Sequence, residues 1–299
     1  MSKVCTLAEA VATIAPGSHI ALPGFAITRC AMAFAHEVIR QKIDHLTLSQ
    51  CVGAMDADIL VGAGLVDRFI YGGGSLDRFG RLANVNRGIE NHTLDAQEYS
   101  SLSVTFRYLA GALGIPFIPI RSLRGSDLLE QLEQTHPEDV SMLKDPFTQE
   151  DWLVLRPLLP EVTIVHAQEA DEEGNAWILG PRWDNAEQVK AGKRTIVITE
   201  RLVSTESIRR QPEKTVVPGL VVSHVVELPF SAYPTSVFSE YDYDEKHIEL
   251  YVKASATQES FKAYLDEYIT STKDHWEFLN KVGGLKLLNG LKADPTLGY

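Results

Sequence analysis

Residues 69–77, FIYGGGSLD, hold the first candidate for chemistry in this chain. An apolar run suited to a buried strand passes into Gly72, Gly73 and Gly74, then Ser75. Glycines reach φ > 0 and let backbone N–H groups approach a ligand closely. A strand ending in such a turn places it at the carboxyl edge of the sheet, where open α/β folds keep their sites. A tight turn with no ligand is the plainer reading of the same residues. Glu98, in AQEYSS with Asp95 nearby, is either an acidic residue drawn to a helix start by the dipole or a carboxylate in a cleft. Arg107 falls on the helix that follows. Arg121 follows another apolar run and suits either a substrate carboxylate or a surface ion pair. His166, inside VTIVHA, reads as a core histidine, and residues 172–175, EEGN, as a turn.

The elements that must hold these residues alternate. Residues 7–14 carry Leu7, Val11 and Ile14 on one helical face, and Pro16-Gly17 ends that helix. A short strand at 18–22 runs into Pro23-Gly24-Phe25, and a helix follows at 31–41. The pattern repeats as strand 46–51, helix 56–64, strand 69–71, strand 93–96 and helix 101–113. In that last helix Leu102, Phe106, Leu109, Ala110 and Leu113 form the expected apolar face. Pro119 marks strand 117–120 as an edge or an irregular end. Residues 124–151 are polar and read as a surface excursion with a helix from Ser126. Strands resume at 162–167, 177–179 and 195–199, with two apolar runs in 216–226. The C-terminus is helical over about 257–284, and residues 285–299 read as a loosely packed tail. The whole, 1–299, reads as one α/β domain with an open, mainly parallel sheet and helices on both faces.

Composition narrows the function. The chain has 299 residues, net charge −12 and 44 % hydrophobic residues. There is ample material for a core. The acidic balance argues against nucleic acid or a membrane surface as partner. No basic segment with a long apolar run opens the chain, and no stretch of about 18 apolar residues occurs, so a cytoplasmic protein is expected. Cys5, Cys30 and Cys51 are far apart and form no CxxC, which argues against disulfides and a metal site. No GxGxxG follows a strand, which argues against a nicotinamide or flavin enzyme.

Five segments in order then resemble the α subunit of family I coenzyme A transferases, most closely the glutaconate type. They are LPGFAITRCAMAFAHEVIR (22–40), FIYGGGSLD (69–77), AQEYSSLSVTFRYLAGALGIPFIPIRSLRGSDLL (96–129), HAQEADEEGNAWI (166–178), and KRTIVITERLVSTESIRRQPEKTVVPGLVVSHVVELPFSAYP (193–234). The resemblance implies a heteromer whose site lies between this chain and a β subunit. There a partner glutamate attacks an acyl-CoA, forms a mixed anhydride and then a glutamyl-CoA thioester, and passes CoA to a second carboxylate. That glutamate belongs to an S-E-N-G-like segment of the β chain. Ile89-Glu90-Asn91-His92 imitates it poorly, so this chain alone is expected to be inert. CoA thioesters are implied as substrates, with no bound cofactor. The GGGS turn matches the pocket position: Ser75 would bond a substrate carboxylate, with the Gly73 and Gly74 amides assisting. Gly24 would admit the acyl chain or the partner, unless it is a structural turn. Arg121 would hold the free carboxylate of a dicarboxylic acid. Relatives on this fold that hydrolyse or decarboxylate acyl-CoA compounds, including a steroid-ring-cleaving hydrolase, resemble this chain at Glu98, which would there be a general base on water. A non-catalytic binding or regulatory protein on the same scaffold is the third reading.

Overall fold

The computed structural model describes residues 2–294, 296 and 297. The first half alternates strand and helix. The strands are β1 (His19–Ala21), β2 (Leu46–Gln50), β3 (Val66–Tyr71) and β4 (Asp95–Glu98), and the helices are α1 (Leu7–Val11), α2 (Met32–Gln41), α3 (Met55–Gly62), α4 (Ala83–Glu90) and α5 (Ser101–Leu113). Then come β5 (Ile118–Ile120), α6 (Asp127–Thr135), β6 (Val140–Lys144) and β7 (Asp151–Leu155). The second half holds β8 (Val162–Ala170), β9 (Ala176–Trp177), α7 (Asn185–Ala191), β10 (Arg194–Leu202), α8 (Thr205–Arg209), β11 (Thr215–Val217) and β12 (Val222–Glu227). Four helices close the chain: α9 (Glu245–Ala254), α10 (Gln258–Leu265), α11 (His275–Val282) and α12 (Gly284–Leu291). No helix among the described residues is long and apolar enough to cross a membrane.

The sheet is open and mainly parallel, in the order β4-β3-β2-β1-β8-β10-β12. The β9–β11 pair adds antiparallel strands beside the carboxyl half of β8. Helices cover both faces, so the central strands are apolar on both sides. One core joins α1, α2, α3 and the C-terminal helices to the sheet, and a second lies under α5 and α6.

Local chemistry explains the boundaries. Thr6 and Glu9 form a capping box on α1, which satisfies amides that the first turn leaves unpaired. Ser100 caps α5, and Gly114 closes it in the left-handed conformation. Ser126 caps α6 as expected.

Three expectations are corrected. Strand 117–120 does not join the main sheet: β5 is the edge of a separate antiparallel sheet ordered β5-β7-β6. Its strand β6 arises within the polar segment 124–151 and is exposed from Ser141 to Lys144, while β7 begins at the end of that segment and buries Leu153, Val154 and Leu155. The face of α5 is also different. Leu102 and Leu113 are 52 % and 63 % exposed, while Ser103, Val104, Arg107 and Tyr108 are buried. Polar residues fill this face because each finds a partner: Tyr108 Oη donates to Ser49 Oγ at 2.7 Å, and Arg107 pairs with Asp139 at 3.2 Å. Finally, the tail is not loose up to residue 293. α12 buries Leu288, the Asp242 amide donates to Leu291 O at 2.8 Å, and the Ala293 amide to Glu240 O at 3.0 Å. Pro295, Gly298 and Tyr299 lie outside the described residues.

Candidate active site

The carboxyl ends of β2, β3 and β4 carry the candidate residues side by side. The parallel ladder of β3 and β4 sets Tyr71 opposite Glu98. The chain then enters the GGGS turn, which is zipped to the end of β2. The Gly72 amide donates to Cys51 O at 3.1 Å, Gly53 N to Gly73 O at 2.8 Å, and Ser75 N to Gly53 O at 3.2 Å. From α5, Ser101 Oγ donates to Gly72 O at 2.8 Å. These contacts require glycine. A Cβ on Gly72 would sit 2.4 Å from Ser101 Cα and 2.5 Å from Cys51 O, and Gly73 holds φ at +81°. The amide of Gly74 enters no backbone bond in this ladder. Ser75 Oγ accepts from the Asp77 amide at 3.2 Å, which orients the hydroxyl and leaves its proton available to a substrate oxygen.

Glu98 is the last residue of β4, not a loop residue before a helix; the ladder with Tyr71 extends the strand beyond the expected 93–96. Its carboxylate is exposed, and Tyr71 Oη donates to Oε2 at 3.5 Å. Burial pushes the Tyr71 phenol above its ordinary range, with the nearby Glu98 charge acting the same way, so Tyr71 stays a neutral donor. Neither Tyr71 nor Ser101 stands out in the sequence as a site residue; only the strand register and the helix packing bring them to the turn.

Cys51 lies against α5, with Sγ 3.4 Å from Thr105 Oγ1. Burial pushes its thiol up to about 11, which leaves it protonated near neutrality and a poor nucleophile.

The remaining candidates disperse. Gly24 ends β1 in a turn at φ +88°, where a Cβ would lie 2.9 Å from Arg29 O. Arg107 is buried, with its guanidinium 4.6 Å from the Tyr99 ring centroid and Nε donating to Arg156 O at 2.8 Å. It braces α5 rather than facing a ligand. Arg121 is 75 % exposed and lies over Trp152 at 4.7 Å, with Glu150 at 3.9 Å. None of these contacts joins it to the GGGS turn. Arg121 instead lines a surface pocket of about 560 Å³ with Arg124, Gln149, Glu150, Asp151 and Trp152. His166 is a buried core histidine, with Nε2 2.8 Å from Glu200 Oε1. Residues 172–175 form the turn between β8 and β9, with Asp171 Oδ1 accepting from the Glu173 and Asn175 amides at 3.0 and 2.9 Å.

The arrangement therefore offers backbone donors, a hydroxyl and the exposed carboxylates of Glu98 and Asp77 on an open shelf. It can orient a carboxylate or a thioester oxygen.

A solved structure shares this fold over the whole chain. Residues 4–228 match the coenzyme A transferase family. The chain is similar to the A-type subunit of glutaconate CoA-transferase of Acidaminococcus fermentans, 36 % identical over 317 residues covering 100 % of this chain and 97 % of that one. The crystal structure of that transferase superposes with a TM-score of 0.95 at 34 % identity, covering 100 % of this chain and 98 % of the other. It is also similar to the A-type subunit of 3-oxoadipate CoA-transferase of Pseudomonas knackmussii, 31 % identical over 94 % of this chain and 99 % of that one. A cholesterol ring-cleaving hydrolase subunit of Mycobacterium tuberculosis is 27 % identical over 92 % of this chain and 96 % of its own length. On this agreement of sequence and fold, the chain belongs to the coenzyme A transferase family.

Proposed function

We propose that this chain is the α-type subunit of a heteromeric CoA transferase that moves CoA between an acyl-CoA and a short-chain or dicarboxylic acid. The carrying observation is the open shelf at the ends of β2–β4. It has oriented donors in Ser75 and the Gly74 amide, beside the exposed carboxylates Asp77 and Glu98. A glutamate from a β-type partner would close the shelf and act as nucleophile. The thioester oxygen would gain negative charge during its attack and be met by backbone donors. Ser75, with Gly73 and Gly74, would orient the acid, and Gly24 would line the entry of the acyl chain or the partner. CoA thioesters are the substrates and no resident cofactor is needed.

A second reading is favoured by one observation. Glu98 is exposed at the same strand edge and held by a neutral phenol, which suits a general base on water. On that reading the complex hydrolyses or decarboxylates an acyl-CoA, and the partner needs no nucleophile.

Mass spectrometry of the complex with its β-type partner, before and after acyl-CoA and borohydride, separates the two. A CoA-sized adduct or its reduced remnant on a partner glutamate is the expected result. Consumption of acyl-CoA with no adduct overturns transfer in favour of hydrolysis or decarboxylation. No binding of any acyl-CoA points to a non-catalytic binding protein.

A further inference from the structure

The chain order of the parallel sheet reverses between β1 and β8. From there β1 to β4 step outward one way, and β8, β10 and β12 the other. In open α/β sheets the crevice above the carboxyl ends at such a reversal is where ligands bind. The GGGS turn is two strands away on β3, roughly 10 Å by strand spacing. The reversal itself is occupied by the turn after β1 and the loop before α7. Gln188 Nε2 donates to Leu22 O at 3.2 Å and to Asp184 Oδ1 at 3.4 Å, which fixes Asp184 at the end of β1. Arg29 Nη2 donates to Pro181 O at 2.7 Å, and its guanidinium lies 4.9 Å from the Trp183 ring centroid. Phe25, 37 % exposed, stacks on the same ring at 5.3 Å.

Two properties of this cluster call for a ligand. Arg29 and Asp184 are each 2 % exposed, yet Nε and Nη1 of Arg29 and Oδ2 of Asp184 have no hydrogen-bond partner. No ion pair within 4.0 Å joins the two among the described residues. Buried charges are ordinarily paired and hydrogen-bonded. Burial raises the Asp184 carboxyl to about 7 and lowers the Arg29 guanidinium to about 10, and each charge opposes the other's shift. The backbone is also strained: Ala26, Arg29 and Trp183 hold φ of 53°, 54° and 45°. Non-glycine residues in this region persist where the surroundings enforce them, and they gather at ligand clamps.

We propose that Arg29 and Asp184 form a subsite for the carboxylate of the acid substrate that does not receive CoA, covered by the Phe25–Trp183 stack. The proposal rests on the CoA-transfer reading and narrows its acid to a dicarboxylate. The unpartnered N–H groups of Arg29 donate to the carboxylate. Asp184 in its neutral form adds an O–H donor where an ionised one would repel. The stack swings aside to admit the acid.

The assembled enzyme tests this by calorimetric titration with glutarate and with valerate, which replaces one carboxylate by a methyl group. The parent complex is expected to prefer glutarate. Arg29→Met is expected to weaken glutarate about 10- to 100-fold and leave valerate unchanged. Arg29→Lys, which keeps the buried cation, provides the same comparison if the methionine variant does not fold, with a loss of about tenfold expected. Equal weakening of both acids overturns the subsite in favour of a structural role. No glutarate preference in the parent overturns the dicarboxylate. If the variant complex dissociates on gel filtration while the isolated chain keeps its melting temperature, the carboxylate belongs to the partner and the substrate subsite is overturned. Titration reads binding, not turnover, so absence of CoA exchange in the parent complex would sink the transferase reading without deciding the subsite.

Discussion

Tyr71 and Glu98 face each other across the β3–β4 ladder, and the buried phenol donates to the exposed carboxylate at 3.5 Å. The pair gives a sharp test of mechanism. Glu98→Gln keeps the size and the acceptor for Tyr71 but can take no proton from water. In a transferase that works through a partner glutamate, CoA exchange by the Gln variant should stay within a few-fold of the parent. A hydrolase that uses Glu98 as general base should lose about 10²- to 10⁴-fold. Both rates can be followed on one complex by thiol release and acyl exchange. Loss of exchange to the same extent as hydrolysis would make Glu98 essential to transfer as well.

How legible this site was in the sequence depends on the residue. The glycine run was visible because only glycine suits its geometry, and the expected turn lies at the carboxyl end of a strand. The alternation of strands and helices gave the parallel sheet for the same local reasons. Glu98 was visible as a charge, but its place on a strand was not, because DAQE has little strand character and is held by pairing with β3. Apolar spacing does not give the buried face of α5, because it cannot anticipate that Arg107 and Tyr108 find buried partners. In TRCAMA nothing local marks Arg29 for burial. Its burial depends on the loop before α7, about 150 residues later in the chain.

Ser75 carries the next prediction. Its Oγ accepts from the Asp77 amide, so the hydroxyl proton is free to be donated to a substrate oxygen. Removing it leaves the turn's backbone bonds in place. Ser75→Ala should raise KM for the acid or lower kcat by about tenfold, the loss of one hydrogen bond to a charged group. Steady-state kinetics with varied acid measure this. Parameters matching the parent would remove Ser75 from the substrate's surroundings.

Gly72 tests the turn itself. An added methyl would meet Ser101 Cα at 2.4 Å and Cys51 O at 2.5 Å, both belonging to backbone held by neighbouring elements. Gly72→Ala should cost about 1–3 kcal/mol and abolish activity by displacing Ser75. Gly290 in α12 is the control, since a Cβ there meets nothing within 4 Å. Gly290→Ala should be neutral or stabilising, by up to about 1 kcal/mol. Melting temperatures of the two variants, recorded beside activity, decide the matter; equal effects would mean that crowding at Gly72 is relieved by backbone movement.

His36 should make the fold sensitive to acid in a way that one substitution removes. It is 1 % exposed, neither ring nitrogen has a partner, and it packs edge-on against Phe278 at 4.6 Å. Burial holds its pKa well below 6.5, with Arg40, His275 and His247 opposing its charge further. The folded state therefore keeps the imidazole neutral while the unfolded chain protonates it. This contribution is fully present above pH 6.5 and is lost as pH falls below it. Other buried groups act both ways: burial raises Asp56 to about 6 and Asp184 to about 7, which opposes the trend, and lowers His19, His247 and His275 to about 4, which reinforces it. The test is therefore the difference between variant and parent, in which those groups cancel. His36→Leu loses no hydrogen bond, so it should be near neutral at pH 8. Its advantage over the parent should then grow by about 1.4 kcal/mol for each pH unit below 6.5. Denaturant melts from pH 8 to 5 measure that difference. A constant difference across the range would mean that the folded protein protonates His36 as readily as the unfolded chain does.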